Sequence, residues 1–287
     1  MSAQATHQHD DHHGHDHHGH DHHGHHHHHG HGHGHGHGHG HGHSASEQNQ
    51  EYFNKLASTY DSKHEATLTR LMEEIRERVG FIGVEWVDQD EDEAEGKEGN
   101  EAREVRVLDY ACGTGVVSRA LAPYTTQCVG IDLSENMVAT YNARAENQGL
   151  TPAEMHAYQG NLCVPSDPNP TSFTAPEFSG FDVAAVGLGF HHFDDPVLAA
   201  QRLAGRLKTG GVLVILDFYT HEKPDASHPA TNTITHHGFS EQQIRGIFEG
   251  AGVGKDFALE EMAVVFHFSK ESGEVKRKLF MARGTKA

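Results

Sequence analysis

Apolar side chains are almost absent from residues 1–43, which alternate His, Gly and Asp. From about Glu47 the pattern changes. Tyr52, Phe53, Leu56 and Tyr60 recur at helical spacing, and Leu68, Leu71, Met72, Ile75 and Val79 do so again up to Gly80. This spacing predicts two helices. Asp88–Glu104 then carries nine acids against Lys97 and Arg103, and residues 84–104 read as a flexible acidic insertion. Beyond it, short β-branched runs alternate with helical ones. Val105–Asp109, Cys128–Asp132, Met155–Gln159, Phe181–Val186 and Val212–Leu216 read as strands. Val116–Leu121, the stretch from the capping Ser134 to Gln148, and Pro196–Leu207 read as helices between them. Leu259–Phe268 and Val275–Arg283, joined by a turn at Gly273, fit a hairpin.

Apolar strands separated by helices mean a parallel sheet covered on both faces. The chain thus divides into a disordered tail, 1–46, and one α/β domain, 47–287. In such sheets ligands sit outside the carboxyl ends of the strands, near the point where strand order reverses.

Composition narrows the classes. No apolar run in the 287 residues approaches the ~20 that a membrane helix needs. Residues 1–43 lack the basic head and apolar centre of a secretory signal. Three scattered cysteines make no disulfide framework, so the expected compartment is the cytoplasm, with the nucleus as the alternative. The net charge of −19 argues against nucleic acid as a partner, although more than half of that excess lies in the tail and the acidic run. The tail holds 22 of the 31 histidines. Closely spaced imidazoles such as His17, His18, His20, His22 and His23 bind Ni, Zn or Cu. A low-complexity tail or an expression tag is the bland reading.

The candidate chemistry begins at Asp109-Tyr-Ala-Cys-Gly-Thr-Gly115. Gly113 and Gly115 lack Cβ, so the backbone can turn tightly and admit a ligand against it. Asp109 ends its strand where a carboxylate can accept from an ammonium or a water. Asp132 ends the next strand, where an acid can accept both hydroxyls of a ribose. Strand, turn and helix in this order point to a nucleoside-containing cofactor, either NAD(P) or S-adenosyl-L-methionine. A dinucleotide fingerprint needs Gly three residues after Gly115, where this chain has Ser118.

The pattern Asp-x-Ala-x-Gly-x-Gly resembles motif I of the class I S-adenosylmethionine-dependent methyltransferases, with Ala111 in the first glycine position. Asp132-Leu-Ser-Glu-Asn-Met137, Gly160-Asn-Leu162, the segment from Phe181 to Pro196, and Leu207–Gly211 are similar to later motifs, in the manner of the UbiE-like small-molecule branch. The resemblance spans about Tyr52 to Gly284. It implies a Rossmann-like, seven-stranded, mostly parallel sheet with an antiparallel last strand. It also implies that Asp132 holds the ribose, that Leu133, Met137 and Leu162 line the cofactor site, and that Asn161 accepts from the adenine amino group. The first helix becomes a lid carrying Tyr52, Phe53 and Tyr60.

A sulfonium methyl is already electrophilic, so the enzyme mainly aligns the nucleophile and excludes water. The candidate base or substrate-binding groups are His191 and His192, followed by Tyr219 and His221 with Asp217 before them. The stretch from Tyr219 to Gly238, with His228, His236 and His237, reads as a loop over the acceptor site. The leading expectation is methyl transfer to a small-molecule acceptor. The alternatives are a Ni or Zn sensor or store working through the tail, and an NAD(P)-dependent oxidoreductase.

Overall fold

The computed structural model describes residues 44–87, 103–221, 233–270 and 273–287. The tail histidines, most of the acidic insertion and His228 lie outside the described residues. One seven-stranded sheet organises the rest, in the order β3-β2-β1-β4-β5-β7-β6. The strands are β1 (Arg106–Tyr110), β2 (Gln127–Asp132), β3 (Met155–Gln159), β4 (Phe181–Gly187), β5 (Leu207–Phe218), β6 (Lys255–Lys270) and β7 (Gly273–Thr285). The first five pair in parallel, and β7 runs antiparallel to both β5 and β6. The predicted architecture is therefore the observed one.

Alternation along the strands sets the two layers, because successive side chains point to opposite faces. Leu108, Val129, Ala184 and Ile215 pack on one side, against α5 (Pro196–Arg206) and α6 (Glu241–Gly250). Val107, Cys128, Val183 and Val214 pack on the other, against α1 (Ala45–Glu77), α3 (Val116–Leu121) and α4 (Glu135–Asn147). Strand order reverses between β1 and β4, so their carboxyl ends diverge and open a crevice.

The amino-terminal region differs from expectation. One 33-residue helix, α1, replaces the two predicted. Nothing in Asp61-Ser-Lys-His64 breaks a helix, and the gap in the apolar pattern there is a change of face. A capping box of Ser44 and Glu47 starts α1, so residues 44–46 belong to the folded domain and not to the tail. Nor does Gly80 end the helical region. It lies inside the single turn α2 (Val79–Ile82), which closes at Gly83 in the left-handed conformation, φ 79°.

Two buried carboxylates anchor this layer. Glu74 of α1 has no exposure, pairs with Arg70 and with Arg78 (2.5 Å), and accepts from the Ala263 amide of β6 (2.9 Å). Asp109 is equally buried and faces α3, not the crevice. Its Oδ2 accepts from the Ser118 amide (3.0 Å) and hydroxyl (2.7 Å). Its Oδ1 has no partner. Burial pushes this carboxyl up to about 7, against the two Ser118 bonds that pull it down.

Removing Glu74 strands two guanidinium groups and an amide. Glu74→Ala should cost about 3 kcal/mol in urea unfolding. Asp109 has a folded pKa above its unfolded value near 3.9, so its contribution is complete below pH 4 and is lost as pH rises through 7. Asp109→Asn should match the wild type at pH 4 and exceed it by a few kcal/mol at pH 8, since each tenfold change in proton affinity is worth about 1.4 kcal/mol. Unfolding midpoints at pH 4, 6 and 8 check this.

Candidate cofactor and acceptor site

The chain leaves β1 in an unusual backbone conformation. Ala111 has φ 53° and Gly113 φ 52°, so an L-residue occupies a left-handed position at 111 at some cost in strain. This turn swings the Gly113 amide onto Asp132. Asp132 Oδ2 accepts from Gly113 N and Oδ1 from Ser134 N, each at 2.8 Å. Burial pushes the Asp132 carboxyl upward, while the Ser134, Gly113 and Leu133 amides oppose the shift. Nothing lies within 4 Å of where a Gly113 Cβ would stand, so this backbone presents an open face. Gly115 serves packing instead. It caps α3 at φ 88°, and a Cβ there would stand 2.7 Å from the Tyr141 ring.

A cavity of about 410 Å³ lies over this turn, within the range of small-ligand sites. It brings together Ala111, Gly113, Asp132, Leu133, Met137, Asn161 and His192 from the predicted set. Asp109, Gly115, Leu162, His191, Tyr219 and His221 do not line it. Leu162 is buried behind it, its amide donating to the Tyr110 hydroxyl (3.1 Å). Tyr219 packs on Phe280, and His221 follows β5 with its amide on the His237 carbonyl (3.0 Å).

Asn161 is set differently from expectation. Its Oδ1 already accepts from the Tyr110 hydroxyl (3.1 Å) and the Cys163 amide (2.8 Å). The amide nitrogen is the group left over, so Asn161 offers a donor and not the acceptor that the motif implied.

At the other end, a short 3-10 turn, Phe190–His192, follows β4. His191 is buried beneath the cavity. Its Nδ1 meets Asp217 Oδ1 (2.8 Å) and its amide donates to Asp217 Oδ2 (3.0 Å). His192 reaches the cavity, with Nδ1 donating to the Thr233 carbonyl (2.5 Å). A carbonyl only accepts, so Nδ1 carries the hydrogen and Nε2 keeps its lone pair. Burial and the neighbouring His191 ring push His192 down to about 3, which keeps the imidazole neutral.

Helix α1 roofs the cavity. Phe53 and Tyr60 line it, as expected of a lid, and Tyr52 does not. Asn54 Oδ1 accepts from the Ser134 hydroxyl (2.6 Å), and Thr114 donates to Asp61 (2.7 Å), which pairs with Arg144. The helix is thereby stapled to both cofactor-type turns. Sequence reasoning missed Asn49, Asn54, Asp61, Tyr110 and Thr114. Tyr110 and Thr114 sit inside the glycine-containing motif and were legible as neighbours; the α1 residues carried no signal. Among the described residues no cluster of three or more His, Cys, Asp or Glu side chains could hold a metal ion. The open face at Gly113, the clamped carboxylate of Asp132 and the apolar Leu133 and Met137 together fit an adenosyl group.

Comparison with known proteins agrees. A family model described as a methyltransferase domain matches residues 108–215. An uncharacterized methyltransferase of Schizosaccharomyces pombe is 32% identical over 155 residues, 51% of this chain and 52% of that protein. The uncharacterized methyltransferase YcgJ of Bacillus subtilis is 31% identical over 121 residues, 42% of this chain and 44% of its own. The chain spans about half the length of these curated relatives. Among solved structures, a chain from a complex that contains the Haloferax volcanii Trm112 methyltransferase activator superposes with TM-score 0.56. That likeness covers 81% of this chain and 96% of that one at 17% identity, and it is a likeness of fold. Over residues 108–215 this chain is thus similar in sequence to methyltransferase domains, and over most of its length it is similar in fold to a solved structure.

Proposed function

We propose that the protein transfers a methyl group from S-adenosyl-L-methionine to a small-molecule acceptor. The observation that carries this reading is Asp132, held at the cavity wall by two backbone amides opposite the open face of Gly113. Bound there, the cofactor supplies an electrophilic methyl group on a positively charged sulfur. The chain does the rest. Asp132 takes the hydroxyls of the ribose on the lone pairs that the two amides leave free. Asn161 donates its amide hydrogens to a ring nitrogen of the base. Leu133 and Met137 pack on the adenosyl group. The α1 roof keeps water out, so that alignment supplies much of the acceleration.

His192 is a substrate-orienting group in this account. A neutral imidazole that protonates only near pH 3 is too weak a base to carry a proton away at neutral pH. His191, bound to Asp217 beneath it, positions that loop. Tyr219 and His221, off the cavity wall, are left for the rim of the acceptor approach.

The histidines of residues 1–43 bind a divalent metal such as Ni or Zn, on the chemistry of closely spaced imidazoles. The cytoplasm or the nucleus houses a chain whose three cysteines are all free thiols. Among the described residues no helix is long and apolar enough to cross a membrane. Calorimetry on the full chain tests the central part. S-adenosylhomocysteine should bind with micromolar affinity, and Asp132→Ala should weaken binding by roughly 100-fold, the scale of about two charge-assisted hydrogen bonds. NADH should not bind; stabilisation against heat by NADH and not by S-adenosylhomocysteine would favour an oxidoreductase.

A further inference from the structure

Two polar groups of the chain stand at one end of the cavity without a donor. Asn49 of α1 is 8% exposed. Its Nδ2 donates to the His192 carbonyl (3.3 Å), and its Oδ1 is buried with no hydrogen-bond partner. His192 has its Nδ1 hydrogen on Thr233, which leaves the Nε2 lone pair unused. Phe53, one turn beyond Asn49, packs edge-on against the His192 ring at 5.3 Å and fixes the two residues together. Both line the same cavity, and both leftover atoms are acceptors. Left without a donor, the buried Asn49 oxygen costs about 1–3 kcal/mol, a cost that a ligand bringing a hydrogen removes.

The charge around them has one sign. The lining residues include the carboxylates Asp132, Asp194 and Asp195 and, among the described residues, no Lys or Arg. A carboxylate or phosphate placed there would set acceptor against acceptor and negative charge against negative charge. A thiolate or a carbanion would bring no hydrogen to either atom.

Building on the methyl-donor reading above, we propose that Asn49 and His192 receive the nucleophile of the acceptor, and that this nucleophile is an N–H or O–H group on a neutral or cationic molecule. The step balances simply. The nitrogen or oxygen lone pair forms the bond to the methyl carbon, the carbon–sulfur electron pair stays on sulfur, and the displaced proton stays on the methylated group until product release, when it passes to bulk water. Asn49 is thus a specificity-determining residue contributed by the roof helix.

The probe is sinefungin, the cofactor analogue in which an amine-bearing carbon replaces the methylsulfonium, so that an ammonium stands where the methyl group meets the acceptor. S-adenosylhomocysteine carries nothing there. Calorimetric titration of the full chain should show sinefungin binding about tenfold tighter than S-adenosylhomocysteine, the gain of one hydrogen bond from a charged donor. Asn49→Leu and His192→Phe should each reduce that preference, read as the ratio of the two affinities within one variant, to about threefold or less, with urea unfolding as the check on folding. Asn49→Asp, which keeps an Oδ acceptor, should retain the preference. Equal affinity for the two compounds in the wild type would overturn the proposal, as would a preference that survives both Asn49→Leu and His192→Phe. Failure of S-adenosylhomocysteine itself to bind is a separate result, and it would overturn the methyl-donor reading on which the proposal stands.

Discussion

One carboxylate joins the two turns that wall the cavity. Asp132 takes one backbone amide on each oxygen, from Gly113 after β1 and from Ser134 at the start of α4. Without those donors a carboxylate 9% exposed would be expensive to keep ionised. With them the charge is held in place and its remaining lone pairs are aimed at the cavity. The geometry of the turn follows from the same bond. Gly113 can offer its amide only because the chain turns left-handed at Ala111 and again at Gly113. The parallel pairing of β1 and β2, with Tyr110 opposite Ile131, brings the two turns into reach.

The roof depends on that joint in turn. Ser134, whose amide serves Asp132, also caps α4 through its side chain (3.1 Å from Met137 N) and donates to Asn54 of α1. Thr114, between the two glycines, holds Asp61 one helical stretch further on. The far half of α1 is fixed by Glu74 to the sheet edge at β6. A single helix thus reports on cofactor turns at one end and on the last strands at the other. The part between Asn49 and Tyr60 lies over the reacting centre in our account.

Much of this was readable in the chain itself, because local rules and tertiary demands coincide there. The run at β3, the Ser134 cap and the helix over Val116–Leu121 agree with the structure residue for residue. Their apolar period, caps and glycines act within a few positions. The differences between expectation and structure have a common cause. Asp109 looks like a ligand for a cofactor at the end of a strand, but a strand-end carboxylate also caps the helix after it, and the Ser118 hydroxyl and amide compete for it. Asn161 was expected to accept, and only the tertiary contacts with Tyr110 and Cys163 reveal that its oxygen is already committed. The continuous α1 was divided because its buried face shifts where it passes from the cavity to the sheet. Asn49 gave no sign, since an asparagine on a polar helix face reads as solvated until the partner loop is in place. His191 and His192 were legible as a pair, yet their division into a buried residue on Asp217 and a cavity residue on Thr233 comes from contacts 26 and 41 positions away.

The most direct measurement is a crystal structure of the full chain grown with S-adenosylhomocysteine. The account predicts ribose hydroxyls within hydrogen-bonding distance of Asp132, the base beside Asn161 and Met137, and the sulfur facing Asn49 and His192 under α1. An adenosyl group lodged elsewhere, or an empty cleft above Gly113 at saturating ligand, would contradict it.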